Sequence, residues 1–305
     1  MHVRHDGPAA GAARRQREIE HPARGSSEHN GDHGFLSLGR RQRTSTVVPN
    51  PFDMHARVLR RDRAARLGPE LFLHERALDD CLERIALHQR KFGRALLIGC
   101  PDPAWPARLG AFADSVEVRD PGPMFAANAG GEIIAEDAWE PSEGAYDLVL
   151  AVGTLDTIND VRIALRLIRY AMRSDALLIG AVSGGESLPQ LRSSMRAADA
   201  AAGIAAPHVH PRIEASALAP LLADSGFIDA VVDVERIAVS YRSLKRLVSD
   251  LRAMAATNVL IARPRFVDRK ARSAAITAFA AAGDGERTVE TFEILHFAAW
   301  TPVNS

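Results

Sequence analysis

Residues 94–105 read RALLIGCPDPAW, and this stretch decides the fold. An apolar run of strand length, 95–98, ends at Gly99 and leads through turn residues into a helix-like segment. This is the layout of a first strand and its nucleotide-binding turn in an open α/β sheet, where glycines let the backbone approach a ligand. Pro101 and Pro103 stand where further glycines would be expected, and each proline removes an N–H. The sequence leaves open whether the turn still binds a cofactor.

Strand-like runs alternate with helical patterns along most of the chain. The predicted strands are 95–98, 115–118, 132–135, 146–152, 176–182, 227–232 and 291–300, with a further strand-like segment at 237–239. The predicted helices are 105–113, 161–172, 188–202, 215–225 and 244–254. This alternation predicts an α/β fold in which helices cover both faces of a parallel sheet.

Composition divides the chain into three parts. Residues 1–50 are rich in Gly, Ser, Arg and His without apolar periodicity, so they are predicted to be a disordered tail. A metal-binding histidine tract, an arginine-rich targeting peptide, or a true start near Met54 are the alternatives. Residues 51–93 form a predicted N-terminal helical segment, with an amphipathic helix over 71–92. Residues 94–302 form the predicted sheet domain with its C-terminal part.

The overall charge and composition exclude several classes of protein. The 305 residues carry a formal net charge of zero, which gives no global electrostatic case for nucleic acid or an anionic membrane. Cys81 and Cys100 are too few for a disulfide framework or a cysteine zinc site. No apolar run approaches the roughly 20 residues that span a bilayer, and no secretory signal is evident. We therefore expect a cytoplasmic protein with at most peripheral membrane association.

Four arginines near the N-terminus form a basic cluster, Arg57, Arg60, Arg61 and Arg63. Charged residues on an amphipathic helix usually face solvent, and this is the expected role. The alternative is a surface that docks an acidic partner.

Acidic residues follow two of the predicted strands at the edge where an open sheet holds its ligand. Asp120 comes after the second strand, about twenty residues past the glycine turn, where a carboxylate can accept hydrogen bonds from ribose hydroxyls. Glu136 and Asp137 follow the third strand and could meet an adenine edge, and Val152 ends the fourth. The pattern suits NAD and S-adenosylmethionine equally well, and the acids could instead cap helices or face solvent.

Several separated blocks of sequence carry a resemblance to a known family. The blocks are 146–150 (YDLVL), 184–192 (GGESLPQLR), 207–211 (PHVHP), 250–254 (DLRAM) with Asn258, and 292–294 (FEI) with Trp300. The first resembles the fourth strand of class I S-adenosylmethionine-dependent methyltransferases. In their order and spacing, the others resemble the methyltransferase-like assembly factor five of respiratory complex I and its alphaproteobacterial relatives.

The resemblance implies a Rossmann-like class I methyltransferase fold with a central, mostly parallel seven-stranded sheet and bound S-adenosylmethionine. It implies a protein partner, an iron–sulfur subunit of NADH dehydrogenase, which would be methylated or hydroxylated on an arginine. The implied cofactor-binding residues are Gly99, Asp120, Glu136, Asp137 and Val152. The candidates for the substrate side are Gly184, Gly185, Glu186, Arg192, His208, Tyr241, Arg252 and Asn258.

The chain departs from the family pattern mainly around the cofactor. Leu97, Gly99, Pro101 and Pro103 occupy the four fixed places of a D-x-G-x-G-x-G turn, and residues 156–157 replace a His-Trp pair. A catalytically inactive assembly chaperone is therefore the alternative function. Methyl transfer needs mainly positioning, so no catalytic residue is assigned. His208 and His210 with Glu186 could mimic an iron site, but loop packing is preferred and no metal is predicted.

Overall fold

The computed structural model describes residues 50–264 and 267–303, all within one unit that spans residues 48–305. Residues 1–49, which make up nearly all of the predicted tail, lie outside the described part. The described strands are β1 Phe92–Ile98, β2 Ala113–Asp120, β3 Glu132–Ile133, β4 Tyr146–Val152, β5 Met172–Ser183, β6 Ile228–Tyr241 and β7 Thr288–Trp300. The described α-helices are α1 Met54–Leu67, α2 Phe72–Leu87, α3 Trp105–Leu109, α4 Pro123–Asn128, α5 Val161–Ala171, α6 Pro189–Ala202, α7 Ala215–Asp224, α8 Leu244–Ala253 and α9 Arg269–Ala281.

The strands form one sheet in the order β3-β2-β1-β4-β5-β7-β6. Strands β1 to β5 pair in parallel, and β7 runs antiparallel to both β5 and β6. The predicted seven-stranded, mostly parallel sheet is therefore confirmed. Because parallel strands all point the same way, the ends of β1, β2 and β4 lie together at one edge of the sheet.

Both faces of the sheet are covered by helices, as alternate side chains of the central strands show. Leu96 packs with α5 and α7, whereas Leu97 packs with α2 and α3. Successive side chains of a strand point to opposite faces, so a continuous apolar run such as 95–98 needs a core on each side. The helices α6, α8 and α9 pack with Tyr241 and Phe292 in a separate apolar cluster.

The N-terminal helices lie against the sheet domain. The carboxylate of Asp53 accepts a hydrogen bond from the backbone N–H of Ala56 and so caps the start of α1. The body of α1 contacts α4 and α8, and α2 contacts β4, β5 and β7. None of the helices in the described part is long and apolar enough to cross a bilayer.

Several details differ from the sequence prediction: α4 was not predicted, and the strand predicted over 132–135 is limited to β3. The segments 227–232 and 237–239 belong to one strand, β6, because β7 pairs with it almost throughout and overrides its charged interruptions. The helix predicted over 105–113 ends at Leu109, since the chain must turn into β2 by Ala113. The helix α9 was missed, because its alanine-rich sequence gives little apolar contrast. The boundary between residues 51–93 and 94–302 stays a prediction.

Candidate functional site

The turn after β1 is occupied by contacts within the protein. Gly99 has φ +85°, and an added Cβ would overlap the Val152 carbonyl oxygen and the Thr154 side chain. The close approach that requires glycine is therefore made to the end of β4. The backbone N–H of Gly99 donates to Arg119 O at 2.9 Å, and that of Cys100 donates to Asp120 Oδ2 at 2.8 Å.

The rest of the turn offers little to a ligand. Pro101 and Pro103 have no N–H, and the Ala104 amide donates to Asp102 Oδ1 at 2.8 Å. Burial raises the pKa of the Cys100 thiol to about 12, with Asp120 adding to the rise, so the thiolate is not available as a nucleophile.

Asp120, the acid predicted to hold a ribose, is fully buried and bound by Arg61 of α1. Arg61 Nε donates to Oδ1 at 2.8 Å, and Arg61 Nη2 donates to Oδ2 at 2.5 Å. The amides of Gly122, at 2.7 Å, and Cys100 donate to the same carboxylate. A carboxylate has about four lone-pair sites, so protein donors already fill all of them.

Glu136, the predicted adenine-side acid, is paired in the same way with Arg57. The two terminal nitrogens of Arg57 donate to its two oxygens at 2.8 and 2.7 Å, and neither side chain is more than 4% exposed. Arg57 also donates to Thr154 O and to Thr157 Oγ1. Burial disfavours the charge of Arg57, but the adjacent Glu136 carboxylate raises its pKa overall. Asp137, by contrast, only accepts a 3.2 Å bond from the Asp160 amide.

These contacts correct the predicted role of the basic cluster. Arg57 and Arg61 lie four residues apart on α1, and both are buried rather than solvated. They occupy the acids that would hold the nucleoside of S-adenosylmethionine. The side chains at this edge therefore do not fit that cofactor in the arrangement described.

A small cavity remains beyond the ends of β4 and β5. Its volume is about 120 Å³, below the roughly 300–1,000 Å³ of typical ligand pockets. Val152, the last predicted cofactor residue, lines it together with His74, Asp156, His210 and Arg212. It is large enough for a few atoms, but not for a nucleoside cofactor.

The groups in this cavity are poorly suited to proton transfer at neutral pH. Burial lowers the pKa of His74 and of His210 to about 4 each, so both imidazoles are neutral and weakly basic. Burial also lowers the pKa of Arg212, although Asp156 at 3.4 Å opposes the effect. The Nδ1 of His74 and the Nε of Arg212 are buried without a hydrogen-bond partner.

The loop after β5 holds three of the substrate candidates, Gly184, Gly185 and Glu186, and the fourth, Arg192, lies in the first turn of α6. A Cβ at Gly184 would overlap Glu293, and one at Gly185 would overlap Glu214. Arg192 donates to Ser187 O at 3.2 Å and Gly185 O at 3.4 Å, so it pairs with backbone rather than with Glu186. Glu186 itself is exposed. The two glycines therefore permit close packing of this loop against the side chains of Glu293 on β7 and Glu214 before α7.

The remaining candidates separate into a core residue and a groove. Tyr241 is 3% exposed in the cluster around α8, where burial and the nearby Asp250 raise its pKa. His208, Arg252 and Asn258 line a common groove next to α1. The eight substrate candidates therefore do not form one site: four lie at and after the end of β5, three line the groove, and Tyr241 lies in the core.

The iron-site alternative does not agree with the positions of the two histidines. His208 Nε2 lies 2.7 Å from Asp199 Oδ1, and His210 Nε2 accepts a 2.9 Å bond from the Val259 amide. Within residues 50–264 and 267–303, no group of three or more His, Cys, Asp or Glu side chains could hold a metal ion.

Sequence reasoning missed the inward direction of Arg57 and Arg61. The i,i+4 spacing was a usable signal, because it places two side chains on one helix face. The second signal was an acid after each of the second and third predicted strands, because such an acid needs a partner if it is buried.

Comparison with known proteins agrees with the resemblance. No family model matches the chain. It is 28% identical over 295 residues to the human protein named arginine-hydroxylase NDUFAF5, mitochondrial. The alignment covers 87% of this chain and 83% of that relative. The zebrafish (Danio rerio) protein of the same name is 32% identical over 177 residues, and the matched region covers 57% of this chain and about half, 55%, of that relative. A putative methyltransferase, RP459 of Rickettsia prowazekii, is 32% identical over 129 residues, 42% of this chain and 57% of the relative.

A solved structure supports the architecture. The YcgJ protein of Bacillus subtilis aligns with a TM-score of 0.51 at 10% identity, over 74% of this chain and all of that chain. At that identity the likeness shows the fold alone. The Rossmann-like class I methyltransferase fold predicted from the sequence is confirmed, as is the likeness to methyltransferase-like proteins.

Proposed function

We propose that this protein is a methyltransferase-fold assembly factor that binds a subunit of the respiratory NADH dehydrogenase and acts without S-adenosylmethionine. The observation that carries the proposal is the complete occupation of Asp120 by Arg61 and two backbone amides. A ribose could bind this carboxylate only by displacing a buried guanidinium.

The choice of partner comes from the family resemblance. The relatives named arginine-hydroxylase NDUFAF5 align with 84% of this chain for the mouse (Mus musculus) protein and 87% for the human protein. The blocks at 184–192, 207–211 and 250–258 are the ones that resemble the assembly factor most specifically. An iron–sulfur subunit is the proposed client. A cytoplasmic location stays a prediction from the sequence.

Isothermal titration with S-adenosylmethionine tests the cofactor half of the proposal. We expect no heat at millimolar ligand, because the adenosine-side acids are paired internally. A saturable signal with a dissociation constant below about 100 μM, worth more than about 5 kcal/mol of binding free energy, would contradict it.

The client half is tested in cells. We expect deletion of the gene to lower the amount of assembled NADH dehydrogenase while leaving the masses of its iron–sulfur subunits unchanged. A subunit that loses the mass of one oxygen or one methyl group on deletion would show that the protein catalyses a modification. If deletion leaves the amount of assembled NADH dehydrogenase unchanged, the proposal that this enzyme is the partner is wrong.

The second candidate is S-adenosylmethionine-dependent methylation or arginine hydroxylation of the same client. The similarity to relatives named arginine hydroxylases favours it, as does the cavity kept at the ends of β4 and β5. This function requires α1 to move so that Asp120 and Glu136 become free. The titration and the mass measurement above separate the two candidates.

A further inference from the structure

We propose that a groove beside α1 binds an acidic segment of a partner polypeptide. We call it the arginine groove, defined by Arg60 and Arg63 of α1 and Arg252 of α8. The proposal rests on the proposed function only for the identity of the partner, because the charge and shape of the groove are independent of it.

The three arginines lack acidic partners. Within residues 50–264 and 267–303, none of them forms an ion pair, and Arg63 makes one side-chain bond, from Nη2 to Thr257 Oγ1 at 2.9 Å. Asp53 lines the groove, but its carboxylate already forms an ion pair with Arg263 at 2.8 Å and accepts a hydrogen bond from the Ala56 amide at the start of α1. The positive charge of the groove is therefore uncompensated.

The arginines also hold hydrogen-bond donors away from water. The Nε atoms of Arg60 and Arg63 are both buried without an acceptor. Burial lowers the pKa of Arg63, and the like charges of Arg60 and Arg252 lower it further. A solvated basic surface would leave these nitrogens open to water. An anionic group in the groove would compensate this charge, because charge-assisted hydrogen bonds are the strong ones.

The size and walls of the groove favour a polypeptide over a free anion. Its volume is about 720 Å³, and it is lined on its apolar side by Leu191, Met195 and Val248. The charges come from two helices, so one small anion would engage only part of the set. Arginine binds carboxylates through two parallel hydrogen bonds and is enriched at protein interfaces. A segment that alternates acidic and apolar side chains matches both walls.

Two of the substrate candidates complete the groove. His208 is held by Asp199, and the Asn258 amide donates to Pro207 O at 2.8 Å. Both side chains are thus fixed by the protein, and they form a polar rim. The charged donors that lack an acidic partner in the described part of the chain are the guanidinium groups of Arg60, Arg63 and Arg252.

Fluorescence anisotropy on the full chain tests the proposal. The probe is a fluorescein-labelled decapeptide of alternating Glu and Leu, and the same peptide with Lys in place of Glu is the charge control. At low salt we expect saturable binding of the acidic peptide only, weakening as salt screens the charges. The variant Arg60→Gln, Arg63→Gln, Arg252→Gln should weaken binding at least about tenfold, since it removes charge-assisted hydrogen bonds.

The matched control removes three exposed arginines elsewhere, as Arg166→Gln, Arg242→Gln, Arg272→Gln. It changes the net charge equally and should bind the acidic peptide within about twofold of the parent chain. Equal weakening in both variants would overturn the site in favour of general electrostatics. If equimolar citrate displaces the peptide, the groove binds a small free anion and the proposed polypeptide ligand is wrong. If the triple variant unfolds, Arg252→Gln alone, at an exposed position of α8, carries the test.

Failure of the groove and failure of the proposed function give different results. If the groove variant loses peptide binding but supports normal assembly of NADH dehydrogenase, the groove stands and its link to that client fails. If assembly needs the protein but the groove variant still binds the peptide, the groove proposal fails alone.

Discussion

The two sides of α1 use arginine in opposite ways. On the inner side, Arg57 and Arg61 are 4% and 7% exposed, and each donates two hydrogen bonds to a fully buried carboxylate. On the outer side, Arg60 and Arg63 line an open groove without acidic partners in the described part of the chain. The same residue type therefore closes one site and leaves another open. The difference lies in whether an acid faces the arginine.

The inner side follows from the cost of burying charge. A buried carboxylate is unstable without a counter-charge, and Asp120 and Glu136 are both fully buried at this edge of the sheet. Breaking a buried ion pair by removing one partner costs much more than losing an exposed pair. The comparison between the two sides can therefore be tested by substitution, with the largest effects on the inner side.

The largest expected effect is the loss of Arg61. Arg61→Ala leaves Asp120 buried without its guanidinium, so we expect the free energy of unfolding to fall by about 3–5 kcal/mol. Arg60→Ala, one residue earlier on the outer side, should cost about 1 kcal/mol or less. Urea unfolding followed by circular dichroism measures both. Equal losses would mean that the inner pair does not stabilise the fold in the way the geometry implies.

The next prediction separates the interaction between Arg57 and Glu136 from the contribution of each residue alone. We expect Arg57→Met and Glu136→Met each to destabilise the fold strongly, whereas the double variant should recover about 1–3 kcal/mol of the summed loss. The reason is that an apolar pair leaves no unpaired charge behind. A double-mutant cycle by urea unfolding gives the coupling. The matched cycle on the exposed pair of Arg162 and Asp224 should give under about 1 kcal/mol.

Acid should destabilise the fold through His210, which lies outside α1 and lines both the cavity and the groove. Burial lowers the pKa of His210 to about 4, below the 6.5 of a free imidazole. Between these two pH values the imidazole is protonated in the unfolded chain and neutral in the folded chain. The stability that depends on the neutral ring is present above about pH 6.5 and is lost as the pH falls toward 4. Between pH 7 and pH 5 this amounts to about 2 kcal/mol.

The variant His210→Gln keeps an acceptor for the Val259 amide and should remove this share of the pH dependence. Thermal or urea unfolding at several pH values measures it. An unchanged pH profile in the variant would show that His210 titrates normally in the folded chain.

The smallest expected effect concerns the proline turn. Pro101→Gly with Pro103→Gly restores glycines to the turn, yet we expect no gain in S-adenosylmethionine binding, because Asp120 stays occupied. Stability should fall by about 0.4–1 kcal/mol per proline, since the unfolded chain gains freedom. Isothermal titration and urea unfolding check the two parts. New cofactor binding in this variant would shift the cause of closure from α1 to the prolines.

Much of the architecture was predictable because it depends on local apolar patterns. The bounds of β4 agree with the predicted strand 146–152, and the sheet around Gly99 follows from the buried run that precedes it. Asp120, Glu136 and Val152 do lie at the predicted edge of the sheet. Charged helix faces and alanine-rich helices were less predictable, because their direction depends on tertiary partners rather than on their own sequence.

The position of the candidate site was predictable from the sequence, but the occupation of its carboxylates by arginines of α1 was not. An acid after the second strand indicates where a ribose would bind, but the sequence gives no distance between Asp120 and Arg61, which are 59 residues apart. The groove has the same limit, because Arg252 meets Arg60 and Arg63 only after α8 packs on α1. Contacts of this range are set by the fold as a whole.

The outer strand of the sheet carries its own protection against aggregation. β6 forms one end of the sheet and pairs only with β7 in the described strands, so its other side presents backbone groups that another chain could pair with. Four charged residues lie along it, Asp229, Asp233, Glu235 and Arg236, and a bulge between Ile228 and Val231 interrupts its start. Charges and a bulge at an edge disfavour the addition of a further strand. The charged residues that divided β6 into two predicted segments thus help to keep neighbouring copies of the sheet apart.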